Sequence, residues 1–293
     1  MRAHDESAAV NPQVSIIMPA FNAAQFLDEA VESIIRQRFE DWELICVDDC
    51  STDDTRTRLE GWAFRDQRIR VYSTPVNSGV GGARDRGIRY ARGRYVAMMD
   101  SDDVAMPDRL ERQVAYLGSH PEVIALGTQT IQVNEMGEEI GRKKFPCDAA
   151  TLYDMLYTAA PIQVPTLIVD RAKLPAEFDW FACERYAEDT LLFFKLLQYG
   201  SFANLPEFLQ LYRYYPSSLS SSHSKEIFFA TYRARSLGRR RYGYRARWQS
   251  RLVSELQWVV VSVLPNRLIP GFYRRTRGVM LWLSGRGWTP SAS

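Results

Sequence analysis

Residues 14–55 read VSIIMPAFNAAQFLDEAVESIIRQRFEDWELICVDDCSTDDT. Val14 to Met18 is a short apolar run rich in β-branched residues, which predicts a fully buried strand ended by Pro19. Asn22 predicts a helix start, with Gln25 as capping-box partner and Phe26, Leu27, Ala30, Val31, Ile34 and Ile35 at helical spacing. Trp42 to Val47 predicts a second buried strand, and Ser51-Thr52-Asp53-Asp54 a second helix capped by Ser51. Further along, Ile69 to Tyr72 predicts a third strand and Ser78 to Ala91 a helix with a Gly-rich start. Tyr95 to Met99 predicts a strand that runs straight into Asp100-Ser101-Asp102-Asp103. Strand and helix alternate at βαβ spacing, so the fold class is α/β, a mostly parallel Rossmann-like sheet flanked by helices. Ligands gather at the carboxyl ends of such strands. Asn22, Asp48-Asp49 and Asp100 to Asp103 all fall there.

Beyond Pro107 the alternation is less regular. A helix is predicted to about His120, then strands Val123 to Val133 and Glu139 to Phe145 joined through Asn134-Glu135-Met136-Gly137. Gln163 to Val169 predicts another strand, Glu188 to Tyr199 an amphipathic helix, Phe208 to Tyr214 a late strand, and Pro216 to Ser222 a Ser-rich loop. This half extends the sheet. The expected organisation is an extended N-terminus (1–13), a first α/β half (14–107), a second half (108–223) and a basic, aromatic helical extension (224–293).

The chain has 293 residues, 46% of them hydrophobic, enough to bury one large core or two small ones. Its net charge of +2 is unevenly spread: residues 224–293 carry 14 Lys/Arg against 2 Glu, so the rest of the chain is acidic. Cys46, Cys50, Cys147 and Cys183 show no CxxC pair and no histidine partners at zinc spacing, which predicts incidental thiols in a reducing compartment. MRAHDESAAVNPQ has no apolar core of a signal peptide, and no run of about 18 apolar residues predicts a membrane-spanning helix. The expected location is the cytoplasm, peripheral at the inner face of the membrane.

Asp100, Asp102 and Asp103 put three carboxylates within four residues. They repel one another unless a cation sits among them, and Mg2+ and Mn2+ favour carboxylate and phosphate oxygens. A solvated acidic turn is the plain alternative. A carboxylate of Asp48-Asp49 can accept a nucleobase N–H or a ribose hydroxyl, or simply cap the following helix. Asn77-Ser78-Gly79-Val80-Gly81-Gly82-Ala83-Arg84 offers free backbone N–H groups to a phosphate, although it lacks the Gly-Lys-Ser/Thr ending of a P-loop. Glu188-Asp189 opens a helix, as a cap or as a general base.

The order of these pieces is more specific than any one of them. VSIIMPAFNAAQFLDEAVESIIRQRF, WELICVDDCSTDDT, NSGVGGARDRGI and GRYVAMMDSDD closely resemble the family 2 glycosyltransferases, over roughly Val14 to Ser222. The resemblance implies a GT-A fold and inverting transfer of a hexose or N-acetylhexosamine from a UDP-sugar to a glycan or lipid-linked acceptor, aided by Mn2+ or Mg2+. It implies that Pro19, Ala20, Phe21 and Asn22 lie along the nucleoside and that Asp49, with Asp48 beside it, holds the uracil. Asn77, Gly79 and Arg84 match the next nucleotide loop. Asp100-Ser101-Asp102 matches the DxD motif, its last aspartate on the metal, with Asp103 an adjacent second choice. Asp189 matches the catalytic base, with Glu188 before it, and Arg213, Ser217 and Ser220 resemble a loop that closes over the donor. Asp85, where the pattern has Asn, and Ala23-Ala24, where many members are acidic, depart from it.

A nucleotidyltransferase would carry a basic, Gly-rich first loop, whereas PAFNAA has no Lys or Arg. A non-catalytic sugar-nucleotide sensor need not retain both Asp102 and Asp189. The arginines at 233, 235, 239–241, 245, 247 and 251 lie among Tyr232, Tyr242, Tyr244 and Trp248, followed by LQWVVVSVL. They predict helices packed on the acidic body or a surface for anionic lipid. No nucleic-acid motif accompanies them.

Overall fold

The computed structural model describes residues 11–181, 187–215, 224–265 and 268. Strands β1 (Val14–Ala20) and β2 (Trp42–Asp48) are buried at every position. Both faces are covered, so apart from Ser15, Glu43 and Asp48 the residues on either side are apolar. β1 pairs in parallel with β2, β2 with β3 (Ile69–Ser73), and β1 also with β4 (Tyr95–Met98). The sheet continues past β4 with changed polarity. β8 (Ile168–Asp170) is antiparallel to β4 and to β6 (Val123–Val133), which pairs in parallel with β9 (Ser201–Arg213). β5 (Val104–Ala105) closes the far edge on β9, and β7 (Glu139–Lys143) forms a hairpin with β6.

Alternate residues of the strands feed two cores. Ile16, Met18, Leu44 and Cys46 meet α1 (Leu27–Ile35), α2 (Thr55–Arg65) and α4 (Arg109–Ser119) through Leu27, Val31, Leu59 and Leu110. Ile17, Ile45 and Val47 face the other way, with Ala83 and Ile88 of α3 (Gly79–Ile88), Leu152 of α5 (Ala149–Met155), and Leu192 to Phe194 of α6 (Glu188–Leu196). Gly87 lets α3 lie on the sheet, because a Cβ there would come within 2.8 Å of Ile17.

Several local expectations change. Helix α1 starts five residues after Asn22, which sits in the left-handed region at φ 49°. Its side chain is spent elsewhere: Asn22 Oδ1 accepts from Thr52 N at 2.8 Å, while Thr55 Oγ1 and Asp53 Oδ2 accept from Ala23 N and Ala24 N. Ser51 likewise does not cap α2; its Oγ accepts from Asn22 N at 3.0 Å. The predicted strand from Gln163 begins instead as a 3-10 turn at Val164–Thr166, where Pro165 lacks a ladder donor. Helix α5 was not predicted, although Asp148 caps it through Thr151 N at 2.9 Å. β9 begins at Ser201 rather than Phe208, its register shifting between Gly127 and Gln129 of β6 to carry Pro206.

Helix α6 is buried nearly all round rather than amphipathic, because α7 (Ser224–Arg241) covers its outer side. Leu191 packs against Ala230 and Ala234. Gly238 stands so close to the Phe194 ring that a Cβ would come within 2.6 Å of it. The first part of the basic extension therefore packs on the body. α8 (Trp248–Val263) follows. No helix among the described residues is long and apolar enough to cross a membrane.

Candidate active site

The register of β1, β2 and β4 brings the loops after Ala20, Asp48 and Met99 to one edge. Pro19 and Ala20 are buried as the last residues of β1, and Ala20 contributes its carbonyl, which accepts from Asp49 N at 2.8 Å. Phe21 is half exposed at the mouth of this edge. Asp48 and Asp49 are both buried. Asp48 Oδ1 accepts from Ser51 N at 3.2 Å. Asp49 is more heavily engaged: it accepts from Thr74 Oγ1, Ser78 Oγ, Ser78 N and Gly79 N at 2.5–3.1 Å. It thus neutralises the first N–H groups of α3 and holds the loop carrying Asn77, whose amide donates to Asp49 O. Gly79 is in the left-handed region at φ +74°, which suits glycine there.

Arg84 links the acidic segments. It is buried on α3 and pairs with Asp100 at 2.6 Å. Burial works against its charge, but Asp100, and beyond it Glu188 and Asp189, hold its pKa above the usual value. Arg84 Nε is buried and has no partner among the described residues. One turn earlier on the same side of α3, Gly81 lies against Glu188, 2.8 Å from an added Cβ to Glu188 Cγ. Helix α3 therefore brings the turn after β4 and the first turn of α6 to one site, although 86 residues of chain separate Asp102 from Glu188.

The DSDD turn sorts its own carboxylates. Asp103 is 1% exposed and points into the protein, accepting from Arg213 N at 2.9 Å and Gln210 Nε2 at 3.2 Å. Gln210 in turn accepts from the buried Arg109 at 2.7 Å, and Arg109 also donates to Met98 O. Burial and the neighbouring Asp102 and Asp100 charges raise the Asp103 pKa well above the usual range. As an alternative metal ligand Asp103 therefore has both oxygens already committed to β9. Ser101 is nearly buried in the same turn. Asp102 is different. Tyr215 Oη donates to its Oδ2 at 2.9 Å, and burial together with Asp100 pushes its pKa up to about 6. A carboxylate held at that value gains most from a nearby cation. No group of three or more metal-ligating side chains converges among the described residues. A cation held by one or two carboxylates with substrate phosphates needs none, so Asp102 and the hard-oxygen turn around it fit Mg2+ or Mn2+.

Asp189 opens α6 partly exposed, with its Oδ1 accepting from Thr190 N at 2.6 Å. Burial raises its pKa, while the Thr190 N–H and Arg84 pull the other way. Glu188 is largely buried against α3. Arg213 does not stand free to close over a ligand. It is buried and donates to Asp102 O, Asn134 O, Glu135 O and Glu29 Oε2, with its guanidinium over the Phe26 ring at 4.4 Å. It locks the acidic turn to the β6–β7 hairpin and α1. Ser217 and Ser220 lie outside the described residues.

Tyr215, Thr74, Gln210 and Arg109 were not singled out from sequence. Only Arg109, a cation six residues past an acidic cluster, gave any signal, and at a helix start it resembles a surface residue. An open depression of about 540 Å³ lined by Asn11, Gln13, Arg92, Arg94 and Arg171 lies at the opposite, amino edge. Its arginines are bonded to Glu43, Asp170 and the Ala91 carbonyl, and none of the acidic loops reaches it.

The profile of Glycosyl transferase family 2 matches residues 15–174. An uncharacterised glycosyltransferase of Haemophilus influenzae is 34% identical over 73% of this chain and 69% of its own. The UDP-Glc:alpha-D-GlcNAc-diphosphoundecaprenol beta-1,3-glucosyltransferase WfgD of Escherichia coli is 31% identical over 73% of this chain and 82% of its own. Among solved structures, Staphylococcus aureus TarS 1–349 in complex with UDP-GlcNAc superposes with TM-score 0.64 at 24% identity, over 77% of this chain and 66% of that one. A mannosyltransferase from Pyrobaculum calidifontis in complex with GDP-Man and Mn2+ gives TM-score 0.59 at 17% identity, over 94% and 85%. The fold is that of the GT-A glycosyltransferases. The chain belongs to glycosyltransferase family 2 and is a glycosyltransferase.

Proposed function

We propose that the enzyme moves a hexose or N-acetylhexosamine from a UDP-sugar to a hydroxyl of a glycan or lipid-linked acceptor, with inversion, at the cytoplasmic face of a membrane. The observation that carries this reading is Arg84, buried between Asp100 and the Glu188-Asp189 helix start, with one N–H that has no partner among the described residues. That placement suits a diphosphate, with the acidic turn on one side and the base on the other. UDP-sugar and lipid-linked acceptor follow the activity of the similar protein WfgD, and TarS was crystallised with UDP-GlcNAc.

In this reading the loop of Phe21 and Asn22, the Asp48-Asp49 pair, and Asn77 and Gly79 receive the nucleoside, while Asp100 and Ser101 meet the ribose. Asp102 would hold Mn2+ or Mg2+, with Asp103 kept as the inward anchor of the turn. The ion, when bound, neutralises charge that develops on the departing diphosphate. Asp189, its pKa raised by burial, accepts the proton of the acceptor hydroxyl as that oxygen attacks the anomeric carbon. The bond from that carbon to the diphosphate oxygen breaks as the new one forms, and the electron pair leaves with UDP. Incubation with a panel of nucleotide sugars and Mn2+ or Mg2+, reading nucleoside diphosphate release, tests this. Release from one UDP-sugar, suppressed by EDTA, is expected. Asp189→Asn should keep UDP affinity and lose transfer, whereas loss of UDP affinity would move Asp189 into the donor site.

A further inference from the structure

Helix α8 is built inside out. Its inward face is Ser250, Val253, Ser254, Gln257 and Val261, all buried. The Ser250 and Ser254 hydroxyls are buried there with no partner among the described residues. Trp248, Leu252, Leu256, Val259 and Val263 are instead 52–78% exposed. At 100° per residue these five fall within an arc of about 80°, one continuous apolar stripe. Scattered exposed apolar side chains are ordinary, but a stripe of five on one helix, with polar groups turned inward, marks a surface that meets something apolar.

Charge selects the partner. Arg240, Arg241 and Arg245 are exposed just ahead of α8, and on the helix itself Arg251 is exposed, as is Glu255, which accepts from Tyr232 Oη. Residues 224–293 carry 14 Lys/Arg against 2 Glu. A second copy docking face to face would bring the same arginines against these. Residues 269–293 of the same chain hold four arginines and no acidic residue, so their cover would also set like charge against like. An anionic bilayer supplies both an apolar interior and the opposite charge. A 16-residue helix is about 24 Å long, shorter than a hydrocarbon core of about 30 Å, so it lies in the interface rather than spanning it.

We infer that α8 docks flat on an anionic lipid surface, its Trp248–Leu252–Leu256–Val259–Val263 stripe among the acyl chains and Arg240, Arg241, Arg245 and Arg251 at the headgroups. The inference deepens the proposed reading, resting on it for the lipid-linked acceptor; the helix geometry stands apart from it. Flotation of the full chain with vesicles of phosphatidylcholine alone, or with about one third phosphatidylglycerol, tests it, with nucleotide-sugar turnover in detergent-free buffer measured separately. Binding to the anionic vesicles alone, weakened at least tenfold by Leu252→Glu/Leu256→Glu and by high salt, is expected. Turnover on a water-soluble acceptor should be unchanged in that variant, so loss of binding and loss of transfer are read independently. Three results would overturn the inference: equal flotation of the variant, no flotation of a chain that turns over donor, or a dimer in light scattering that Leu252→Glu/Leu256→Glu dissociates. Arg240→Ala/Arg241→Ala should show the same loss on anionic vesicles, which keeps the test valid if the glutamate variant misfolds.

Discussion

The ends of β2 and β4 carry the same chemistry, a pair of adjacent aspartates, and the two pairs divide labour alike. At β2, Asp49 is consumed by Thr74 and the first turn of α3, while Asp48 meets one backbone N–H through Oδ1. At β4, Asp103 is consumed by β9, while Asp102 meets Tyr215. In each pair one carboxylate is taken up by the scaffold, which leaves the other for the proposed site. The ends differ in what the scaffold carboxylate secures. Asp49 ties down a neighbouring loop with neutral donors, whereas Asp103 is coupled through Gln210 to the buried cation Arg109.

This comparison can be broken by substitution. Asp102→Ala should have the largest effect, a loss of turnover of about 10³-fold, about 4 kcal/mol of barrier, with a Tm within 2–3 °C of wild type, on the order expected for a site residue outside the core. Turnover assays and thermal denaturation check both halves, and unchanged turnover would give the site role to another carboxylate. Asp103→Ala should behave conversely. It leaves Gln210 and Arg213 N without their acceptor and removes the group to which Arg109 is linked through Gln210, costing about 3 kcal/mol in denaturant unfolding. Asp49→Ala should cost somewhat less, about 2 kcal/mol, since its partners include α3 N–H groups that water can reach on relaxation.

Asp48→Ala should leave stability nearly intact and weaken UDP binding about tenfold by calorimetry, about 1.4 kcal/mol. Equal stability losses at positions 48 and 49 would erase the proposed division. The smallest effect near neutrality is with pH. As the proposed base, Asp189 accepts a proton only when ionised, and its pKa is raised. Turnover should therefore climb as pH rises through that value, falling about tenfold per unit below it, and be flat above. Tyr215→Phe sharpens the β4 end, because it removes the hydrogen bond to Asp102 and leaves the ring near Phe26 in place.

Much of this was legible along the chain. The buried runs at 14–18, 42–47 and 95–99 and the carboxylates at their ends are local patterns, and they place the edge where the site forms. The helix start expected at Asn22 and the cap expected at Ser51 do not form, for one reason. Both side chains satisfy the other's loop, across 29 and 30 residues, a non-local trade that no capping pattern encodes. The amphipathic reading of α6 failed similarly, since α7 covers the side that would otherwise meet water.

The sequence by itself determined the α/β class, the parallel first half, and which residue types stand at the strand ends, because periodicity and strand direction are local consequences of backbone geometry. Only the tertiary structure decided which aspartate of each pair is bonded into the scaffold, that Arg213 is a lock, that Arg109 and Tyr215 serve the acidic turn, and that α8 shows its apolar side outward. Each of these depends on which groups from distant segments fill the same space. Burial and hydrogen bonding assign a charged side chain its role only once those neighbours are in place.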